Sequence, residues 1–368
     1  MKFIATTGFN MEGALSRELK QLGYDADIQT SRAVIEGGLE DGAYLNLMLR
    51  TAGSVRLIVG EFKAKSYDEL YEGVSRIDWT DYIERGVSLK VNARAVNGVL
   101  YSPRDIQSVA HKAICESLMN SYKVRRISGA VKYEVYLHIH KMAVTVSINT
   151  SGKPLHMRGY RVLNPEAALR ETLAAALVIY SGWQHDWKLY DPMCGSGTLC
   201  VEAAMIARNM APGINRSFSA ESFPWWDKKI WQNVRERCKD EALPEKTAEI
   251  IGSDIDKRVL SMADTHARKA GVQNDIKFFH KDVRKLKITD EHGHIISNPP
   301  YGVRLGSDKE MPLFYESFFK ALPMNWSWHI LSALDDVEKL AGRRADKKRR
   351  LYNGRLECQY FEFFRKKS

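Results

Sequence analysis

The sequence is poor in cysteine and has no long apolar run. Five cysteines are scattered through 368 residues, and none of them forms a CxxC spacing. An odd, scattered set argues against a disulfide framework and against a zinc ribbon, so we expect free thiols in a reducing compartment. No stretch reaches the roughly 18 consecutive apolar residues that a membrane-spanning helix needs. These absences predict a cytoplasmic protein without a membrane segment.

Acidic side chains are outnumbered by basic ones. There are 55 Lys and Arg against 45 Asp and Glu, which gives a formal net charge of +10. This balance favours a polyanionic partner such as nucleic acid. The length of 368 residues also exceeds what a single hydrophobic core normally supports. We therefore expect two or three domains.

The pattern of the chain changes near residue 160. Before it, strand-like and helical stretches are interleaved, as in 88–94, 103–120 and 132–140, which is typical of α+β structure. After it, an Ala/Leu-rich helix at 165–180 leads into repeated units of apolar strand, turn and helix. That repetition predicts a parallel, doubly wound sheet. The main break falls at 150–154, and a second, weakly marked one lies near 55–65.

The segment 188–198, KLYDPMCGSGT, predicts a strand that ends at Asp191 and passes through Gly195 and Gly197 into a helix at 199–209. Two glycines leave backbone N–H groups and little side-chain bulk facing a ligand, which suits a nucleotide-like cofactor. The spacing is neither GxxxxGK[ST] nor GxGxxG, so it disfavours a triphosphate or an ordinary dinucleotide site. A tight turn without a ligand is the alternative for this segment alone.

Acidic residues follow the next two predicted strands. Asp254 ends the strand in EIIGSDID, where a carboxylate can accept hydrogen bonds from ribose hydroxyls, and Asp256 is placed to cap the helix at 257–270. Asp282 closes the strand in IKFFHKD and could accept from an adenine amino group. Each acid alone suits a cap or a solvated turn. Together with Asp191 they lie along one carboxyl edge, and this succession indicates a ligand site.

The stretch SNPPYG at 297–302 follows another apolar strand. Its two prolines cannot continue a hydrogen-bonded ladder, so the chain must leave the sheet there as a rigid turn. Such a turn can hold a substrate.

The ordered set DPMCGSGT, GSDID, KD and NPPYG resembles the class I S-adenosylmethionine-dependent methyltransferases that methylate amino groups. The resemblance implies that the Asn298 side chain and the carbonyl of Pro299 accept the two N–H bonds of an amino group, while Tyr301 stacks on the target base. It implies no metal, and it implies two sets of site residues. The catalytic set is Asn298, Pro299, Pro300 and Tyr301. The cofactor-binding set is Asp191, Pro192, Cys194, Gly195, Gly197, Thr198, Asp254, Ile255, Asp282, Val283 and Asn298.

Segments of the amino-terminal half, at 66–73, 77–79, 102–108 and 149–161, resemble the THUMP-containing RNA methyltransferases, and most closely the guanine-N2 methyltransferase L group of large-subunit ribosomal RNA. The resemblance implies an α/β chain with three domains. These are a ferredoxin-like segment at 1–60, an RNA-binding THUMP domain at 61–155 and a Rossmann-like methyltransferase domain at 156–368. The insertion at 209–246 is also typical of the family. A second methyltransferase module, present in some members, is missing, so one modification is expected.

The resemblance implies S-adenosylmethionine as cofactor and RNA as partner, with 23S ribosomal RNA or a pre-ribosomal particle favoured. Three alternatives stay open: N6-adenine methylation of RNA or DNA, methylation of a protein glutamine, and a non-catalytic RNA-binding assembly factor. The NPPY turn favours an enzyme, because a pure binding module has no need to position an amino group. The target nucleotide and the oligomeric state are left open.

Three other features have competing interpretations. The basic run at 342–350 could contact phosphates or lie on a solvated face. Trp225 and Trp226 could stack on bases or pack the insertion against the rest of the chain. His138 and His140 share one face of a predicted strand without a third ligand, which argues against a metal site.

Overall fold

The computed structural model describes residues 1–162, 169–244, 248–300 and 310–365. Within them the strands form two sheets of seven. The elements of the first half are β1 (Lys2–Thr7), α1 (Glu12–Gln21), β2 (Ala26–Gln29), β3 (Arg32–Glu36), α2 (Leu39–Met48), β4 (Ala52–Lys63), α3 (Tyr67–Ser75), β5 (Val87–Val96), α4 (Pro103–Tyr122), β6 (Val131–His140) and β7 (Ala143–Asn149).

The elements of the second half are α5 (Glu171–Ser181), β8 (Leu189–Asp191), α6 (Thr198–Ala207), α7 (Lys228–Asp240), β9 (Ile250–Asp254), α8 (Lys257–Ala270), β10 (Ile276–His280), β11 (His294–Ser297), α9 (Glu310–Ala321), β12 (Ser327–Ser332), α10 (Val337–Leu340), β13 (Lys347–Asn353) and β14 (Leu356–Phe363). Short 3-10 helices span Trp79–Asp81, Ser219–Ser222 and Val283–Lys285.

The first sheet has the order β2-β3-β1-β4-β7-β6-β5. Its neighbours pair antiparallel except β5 and β6, which run parallel with α4 as their crossover. The twelve-residue strand β4 pairs with β1 through its first part and with β7 through its second, so one sheet runs through both amino-terminal units. The predicted division at residue 60 falls inside β4, and it stays a prediction.

The second sheet has the order β10-β9-β8-β11-β12-β14-β13. The first five strands in this order are parallel, and β14 and β13 continue the sheet antiparallel. Every residue of β8, β11 and β12 is buried, as expected for parallel strands covered on both faces. The prediction of an α/β chain, with a mostly parallel doubly wound sheet after α+β units, is confirmed.

Local sequence explains where the helices begin. Ser102 caps α4 by accepting from the Asp105 amide, and Pro103 occupies the first turn, where a missing N–H costs nothing. Asp256 caps α8 in the same way. The helix predicted at 165–180 begins only at Glu171, and residues 163–168 lie outside the described part of the chain.

The insertion packs against the amino-terminal half. The Phe223 ring stacks on Tyr133 with centroids 4.3 Å apart, and the buried Trp226 ring lies 6.3 Å from Phe3. The Trp225 indole donates to the Tyr82 carbonyl at 2.6 Å. Of the two interpretations of Trp225 and Trp226, packing is therefore the one that the structure supports.

No helix among the described residues is both long enough and apolar enough to cross a lipid bilayer.

Candidate active site

The candidate site lies where the direction of chain progression through the second sheet reverses. From β8 the chain moves outward to β9 and β10, and it then returns to the other side of β8 with β11 and β12. Ligands of doubly wound sheets bind at this switch point, outside the carboxyl ends of the strands. Asp191 is the last residue of β8, Asp254 the last of β9 and Ser297 the last of β11. The structure thus brings the predicted site segments to one edge.

The glycine loop after β8 has two glycines with different roles. Gly197 has φ +77°, and a Cβ there would lie 2.8 Å from the Ala263 Cβ of α8, so this glycine permits close packing. Gly195 has φ +53°, and a Cβ there would meet no atom within 4 Å. Its surface therefore faces open space beside the strand ends, which suits the close approach of a ligand to the backbone.

Asp254 links the glycine loop to its own strand. Its Oδ2 accepts from the Gly195 amide at 2.9 Å, and its Oδ1 accepts from the Asp256 amide at 3.0 Å. A carboxylate can accept about four hydrogen bonds, so each oxygen keeps capacity for a ribose hydroxyl. The following Ile255 is 62% exposed and offers an apolar surface to a flat ring.

Asp256 and Asp282 both have structural partners. The Asp256 carboxylate accepts from the Arg258 amide at 2.8 Å and binds its guanidinium. Asp282 repeats this arrangement with Arg284, whose hydrogen bonds hold the pKa of the carboxyl below its usual range. The amide of Lys281 donates to the Asp254 carbonyl at 3.0 Å, so the Asp282 turn lies beside Asp254. The role of Asp282 towards adenine, with the adjoining buried Val283, stays a prediction.

Asp191 connects the glycine loop to the NPP turn. It is 3% exposed, and its Oδ1 accepts from the Ser297 hydroxyl at 2.7 Å and from the Met193 amide at 3.2 Å. Burial raises the pKa of Asp191 to about 7, although both hydrogen bonds act in the opposite direction.

The remaining residues predicted to bind a cofactor line the same loop. Pro192 accepts through its carbonyl from the Ser253 hydroxyl at 3.3 Å. The Cys194 amide donates to the Ser253 carbonyl at 2.9 Å, and burial keeps the pKa of its thiol well above the usual value. Thr198 begins α6. These contacts hold the loop against β9.

The NPP turn presents an acceptor that has no internal partner. The Asn298 Oδ1 atom is buried and makes no hydrogen bond to any described residue. A buried polar atom without a partner is costly, so such an atom at a ligand-binding edge indicates a group that the ligand satisfies. The carbonyl of Pro300 accepts from the Tyr315 hydroxyl at 3.3 Å, which anchors the end of the turn to α9. Tyr301 lies outside the described residues.

Sequence reasoning missed four residues that organise this site. Ser297 and Tyr315 fix the NPP turn from its two sides. Arg161 donates to the Thr198 hydroxyl at 2.6 Å, and His266 contacts the Ser196 carbonyl through Nδ1 at 3.0 Å. Ser297 directly precedes the NPPYG motif, and Arg161 stands inside the segment 149–161 that resembles the family, so the sequence did point to those two. Nothing in the sequence marks Tyr315 or His266.

These residues fit S-adenosylmethionine. Asp254 has free acceptor capacity for ribose, Ile255 exposes an apolar face for a base, and the space over Gly195 is open. Asn298, which follows the neighbouring strand β11, presents its Oδ1 atom as an acceptor. The set contains acceptors and apolar surface in the arrangement that a nucleoside cofactor requires.

Three family models match successive parts of the chain. An RlmL ferredoxin-like domain matches residues 2–56, a THUMP domain matches 64–149, and an RMKL-like methyltransferase domain matches 158–362. The divisions predicted at residues 60 and 155 fall between these matches.

Individual relatives cover nearly the whole chain. A Bacillus subtilis protein named "Putative RNA methyltransferase YpsC" is 36% identical, over 99% of this chain and 96% of its own length. The solved structure of SMU.472, "a putative methyltransferase complexed with SAH", is 34% identical, covers 100% of this chain and 98% of that one, and has a TM-score of 0.92.

A Listeria monocytogenes structure named "a predicted N6-adenine-specific DNA methylase" is 35% identical, covers 99% of this chain and 96% of that one, and also has a TM-score of 0.92. The chain therefore belongs to the family of methyltransferases in which an RlmL-type ferredoxin-like domain and a THUMP domain precede an RMKL-like methyltransferase domain.

Proposed function

We propose that the protein transfers a methyl group from S-adenosylmethionine to an exocyclic amino nitrogen of a base in RNA. The favoured target is guanine N2 in 23S ribosomal RNA. The proposed location is the cytoplasm, where that RNA lies. The observation that carries the proposal is the buried, unpartnered Asn298 Oδ1 at the switch point of the sheet. An amino group that donates to it would point its nitrogen at the cofactor edge.

S-adenosylmethionine is the methyl donor of this protein, and its sulfonium supplies a methyl group that is already activated. The protein's task is then to align a weak nucleophile, because the lone pair of an exocyclic amine is delocalised into the ring. Two acceptors that hold both N–H bonds would fix the nitrogen for in-line attack. Asn298 Oδ1 is one, and the carbonyl of Pro299 is the other.

The turn that holds these acceptors is braced on both sides. Ser297 ties its start to Asp191, and Tyr315 ties Pro300 to α9 and also bonds the Ser332 hydroxyl at 3.0 Å. Rigid support keeps an acceptor at the distance and angle that productive alignment requires. Tyr301, in the proposal, stacks on the base.

RNA as the substrate is supported by the match to a THUMP domain, by the naming of the Bacillus subtilis relative and by the net charge of +10. Guanine N2 is supported by the resemblance to the L group and by the RlmL-type ferredoxin-like domain. The Listeria relative is named for adenine N6 in DNA, which is the specific reason to keep that alternative. Both bases would satisfy the same two acceptors.

Mass spectrometry of nucleosides tests the proposal. Ribosomal RNA from cells that lack the protein would be incubated with the purified protein and S-adenosylmethionine, and then digested. We expect N2-methylguanosine to appear with the wild-type protein. Asn298→Ala should reduce its rate of formation about 100-fold or more, as removal of one positioned hydrogen-bond partner does in other enzymes, whereas the affinity for S-adenosylmethionine should change far less.

Each other outcome of this experiment would contradict a different part of the proposal. N6-methyladenosine without N2-methylguanosine would contradict the base and leave the amino-group chemistry in place. Methylation of DNA but not of RNA would contradict the substrate. An Asn298→Ala protein with wild-type turnover would contradict the role of the turn.

A further inference from the structure

A basic cleft lies outside the part of the chain that matches a THUMP domain. It has a volume of about 820 Å³ and lies between the linker after β7, the start of α5 and the insertion. That volume is within the range of about 300–1,000 Å³ that is typical of ligand sites. We call it the linker cleft. Six of its lining residues are cationic or can become so: Lys153, His156, Arg158, Arg161, Arg170 and Arg216.

The charge of the linker cleft is poorly compensated. Its lining contains one carboxylate, Glu171, which lies 3.4 Å from Arg161, and Arg158 pairs at 3.5 Å with the buried Glu202 behind the cleft. Lys153 and Arg170 are exposed and form no ion pair with any described residue. Two cations without counterions therefore face an open space.

Arg216 shapes the wall of the cleft. Its guanidinium donates to the carbonyls of Lys153 and Pro154 at 2.6 Å each, and to those of Ser151 and Met157 at 3.2 Å each. Carbonyl oxygens satisfy its N–H groups without neutralising its charge. The insertion thus fixes the linker in place and adds a positive charge beneath it.

The pKa of His156 reflects the positive electrostatic potential inside the cleft. Burial, which is the largest cause, and the positive charges of four arginines together lower the pKa of His156 to about 4. Of these arginines Arg170 acts most strongly, followed by Arg158, Arg161 and Arg216. All four guanidinium groups therefore contribute positive potential at the His156 ring. This convergence is what a polyanion would meet on entering the cleft.

The cleft adjoins the cofactor edge. Arg161, which lines it, donates to the hydroxyl of Thr198 at the start of α6 and to the Leu169 carbonyl at 2.8 Å. A nucleotide strand in the cleft would therefore lie on the side of the glycine loop where α6 begins.

The basic run at 342–350 has more of its charge compensated by ion pairs than the linker cleft has. In the run at 342–350, Lys348 pairs with Glu338 at 2.7 Å, Arg349 with Glu362 at 2.9 Å and Arg350 with Glu357 at 3.6 Å. These side chains lie on the edge strand β13 and its neighbourhood, and acids on β14 and α10 compensate much of their charge. The linker cleft is the stronger candidate for an anion.

We propose that the linker cleft binds phosphate groups of the RNA strand that flank the target base, as a second contact separate from the THUMP domain. The proposal rests on the proposed function, since it supplies the backbone contacts that would hold the RNA while the base leaves its stack. Phosphate contacts position a strand without reading its sequence, so the cleft sets register and affinity but not the choice of base.

Charge reversal in the intact protein tests the proposal. Lys153→Glu and Arg170→Glu would each be compared with the wild type by fluorescence anisotropy, using a labelled ribosomal RNA fragment that the wild type methylates. Lys153 lies in an exposed loop, and an acid at position 170 would be favoured by the amino-terminal end of α5, so both variants should fold. Thermal unfolding would verify this.

Lys320→Glu is the matched control. It makes the same change in net charge at an exposed position in the last turn of α9. That helix leads into the parallel strand β12, so its carboxyl end lies at the edge of the sheet opposite to the site. A general effect of net charge would appear in this variant as strongly as in the other two.

We expect each cleft variant to weaken RNA binding about fivefold or more. The slope of log K against log salt should become shallower by roughly 0.7 for each lost contact to a single strand. Lys320→Glu should bind RNA as the wild type does, and all four proteins should bind S-adenosylhomocysteine equally. Wild-type RNA affinity and salt slope in both cleft variants would overturn the proposal.

Two further outcomes are distinguishable. A wild-type protein that neither binds nor methylates RNA would overturn the proposed function itself. Tripolyphosphate, tested by calorimetry, separates an RNA site from a site for a small anion. If tripolyphosphate binds with the same dependence on Lys153 and Arg170 and RNA does not displace it, the cleft is not an RNA site.

Discussion

The carboxyl group of Asp191 is almost completely buried. Two hydrogen bonds favour its ionised form, yet burial is the larger effect and raises its pKa to about 7. The folded state therefore binds a proton more tightly than the unfolded state does. By linkage, the stability that this group contributes is fully present below pH 4 and is lost as the pH rises through 7.

Asp191→Asn should remove this dependence. We expect the melting temperature of the variant, minus that of the wild type, to increase between pH 5 and pH 8, because over most of this range the unfolded wild type releases a proton that the folded wild type keeps. The difference in free energy of unfolding should change by a few kcal/mol over this range. Calorimetry at several pH values measures it. Asp240→Asn, at an exposed carboxyl, is the control, and an equal pH trend in both variants would refute the assignment.

Asp254 and Asp256 are two residues apart and have different contacts. Asp254→Ala should weaken binding of S-adenosylhomocysteine about 5- to 150-fold, since the ribose hydroxyls would lose their acceptor at a cost of roughly 1–3 kcal/mol. Asp256→Ala should leave that affinity unchanged and lower the stability by about 1 kcal/mol, because it removes the cap of α8. Isothermal calorimetry and thermal unfolding separate the two effects. The reverse result would exchange the two roles.

At the scale of elements, the glycine loop joins β8 to α6 and packs α6 onto α8. The left-handed conformation of Gly195 and Gly197 turns the chain within a few residues. The two positions differ in what surrounds them, since Gly197 faces Ala263 and Gly195 faces open space. One loop therefore serves packing at one glycine and ligand access at the other.

Substitution of Gly197 by alanine and substitution of Gly195 by alanine should have different effects. Gly197→Ala should lower the stability by about 1–3 kcal/mol, because its Cβ would lie 2.8 Å from the Ala263 Cβ and would require a shift of α8. Gly195→Ala should cost only the backbone strain, about 1 kcal/mol, and should weaken cofactor binding by filling the open space. Melting temperature and S-adenosylhomocysteine affinity, measured on both variants, test this. Equal losses of stability would contradict the assignment of roles.

At the scale of the whole molecule, the two halves share an apolar core. The insertion leaves the second half of the chain and packs its aromatic side chains into the first, where Phe223 meets Tyr133 and Trp226 meets Phe3. The Tyr180 hydroxyl of α5 also accepts from the Ala14 amide of α1 at 3.0 Å. The three domains are thus coupled through packing.

Trp226→Ala should destabilise both halves together. Truncation of a buried tryptophan typically costs about 3–5 kcal/mol, and here the cavity would lie between the halves. Hydrogen exchange read by mass spectrometry should show faster exchange in α2 and in α7, with a lower melting temperature. Tyr101→Ala, at a ring that is 81% exposed, is the control. Faster exchange confined to α7 would show that the halves unfold independently.

Elements with strong local signals were predicted closely. The helix predicted at 257–270 is α8 as observed, and the one at 103–120 continues two residues further as α4. The helix predicted from 165 begins at Glu171, because an Ala/Leu-rich sequence favours a helix without marking its start. In the site, the strand-end positions of Asp191 and Asp254 could be predicted from strand periodicity. Their contacts with Ser297 and Gly195 could not be.

The sequence by itself determined the parallel sheet, the glycine loop and the NPP turn, since each depends on residues that are neighbours in the chain. The tertiary structure decided which groups keep free acceptors and which charges stay uncompensated. Asn298 Oδ1 is buried without a hydrogen-bond partner among the described residues, and burial depends on tertiary packing. Lys153, Arg170 and Arg216 meet only when the linker, α5 and the insertion converge. Spacing along a chain carries no information about such convergence, because burial and electrostatic potential depend on distances in space.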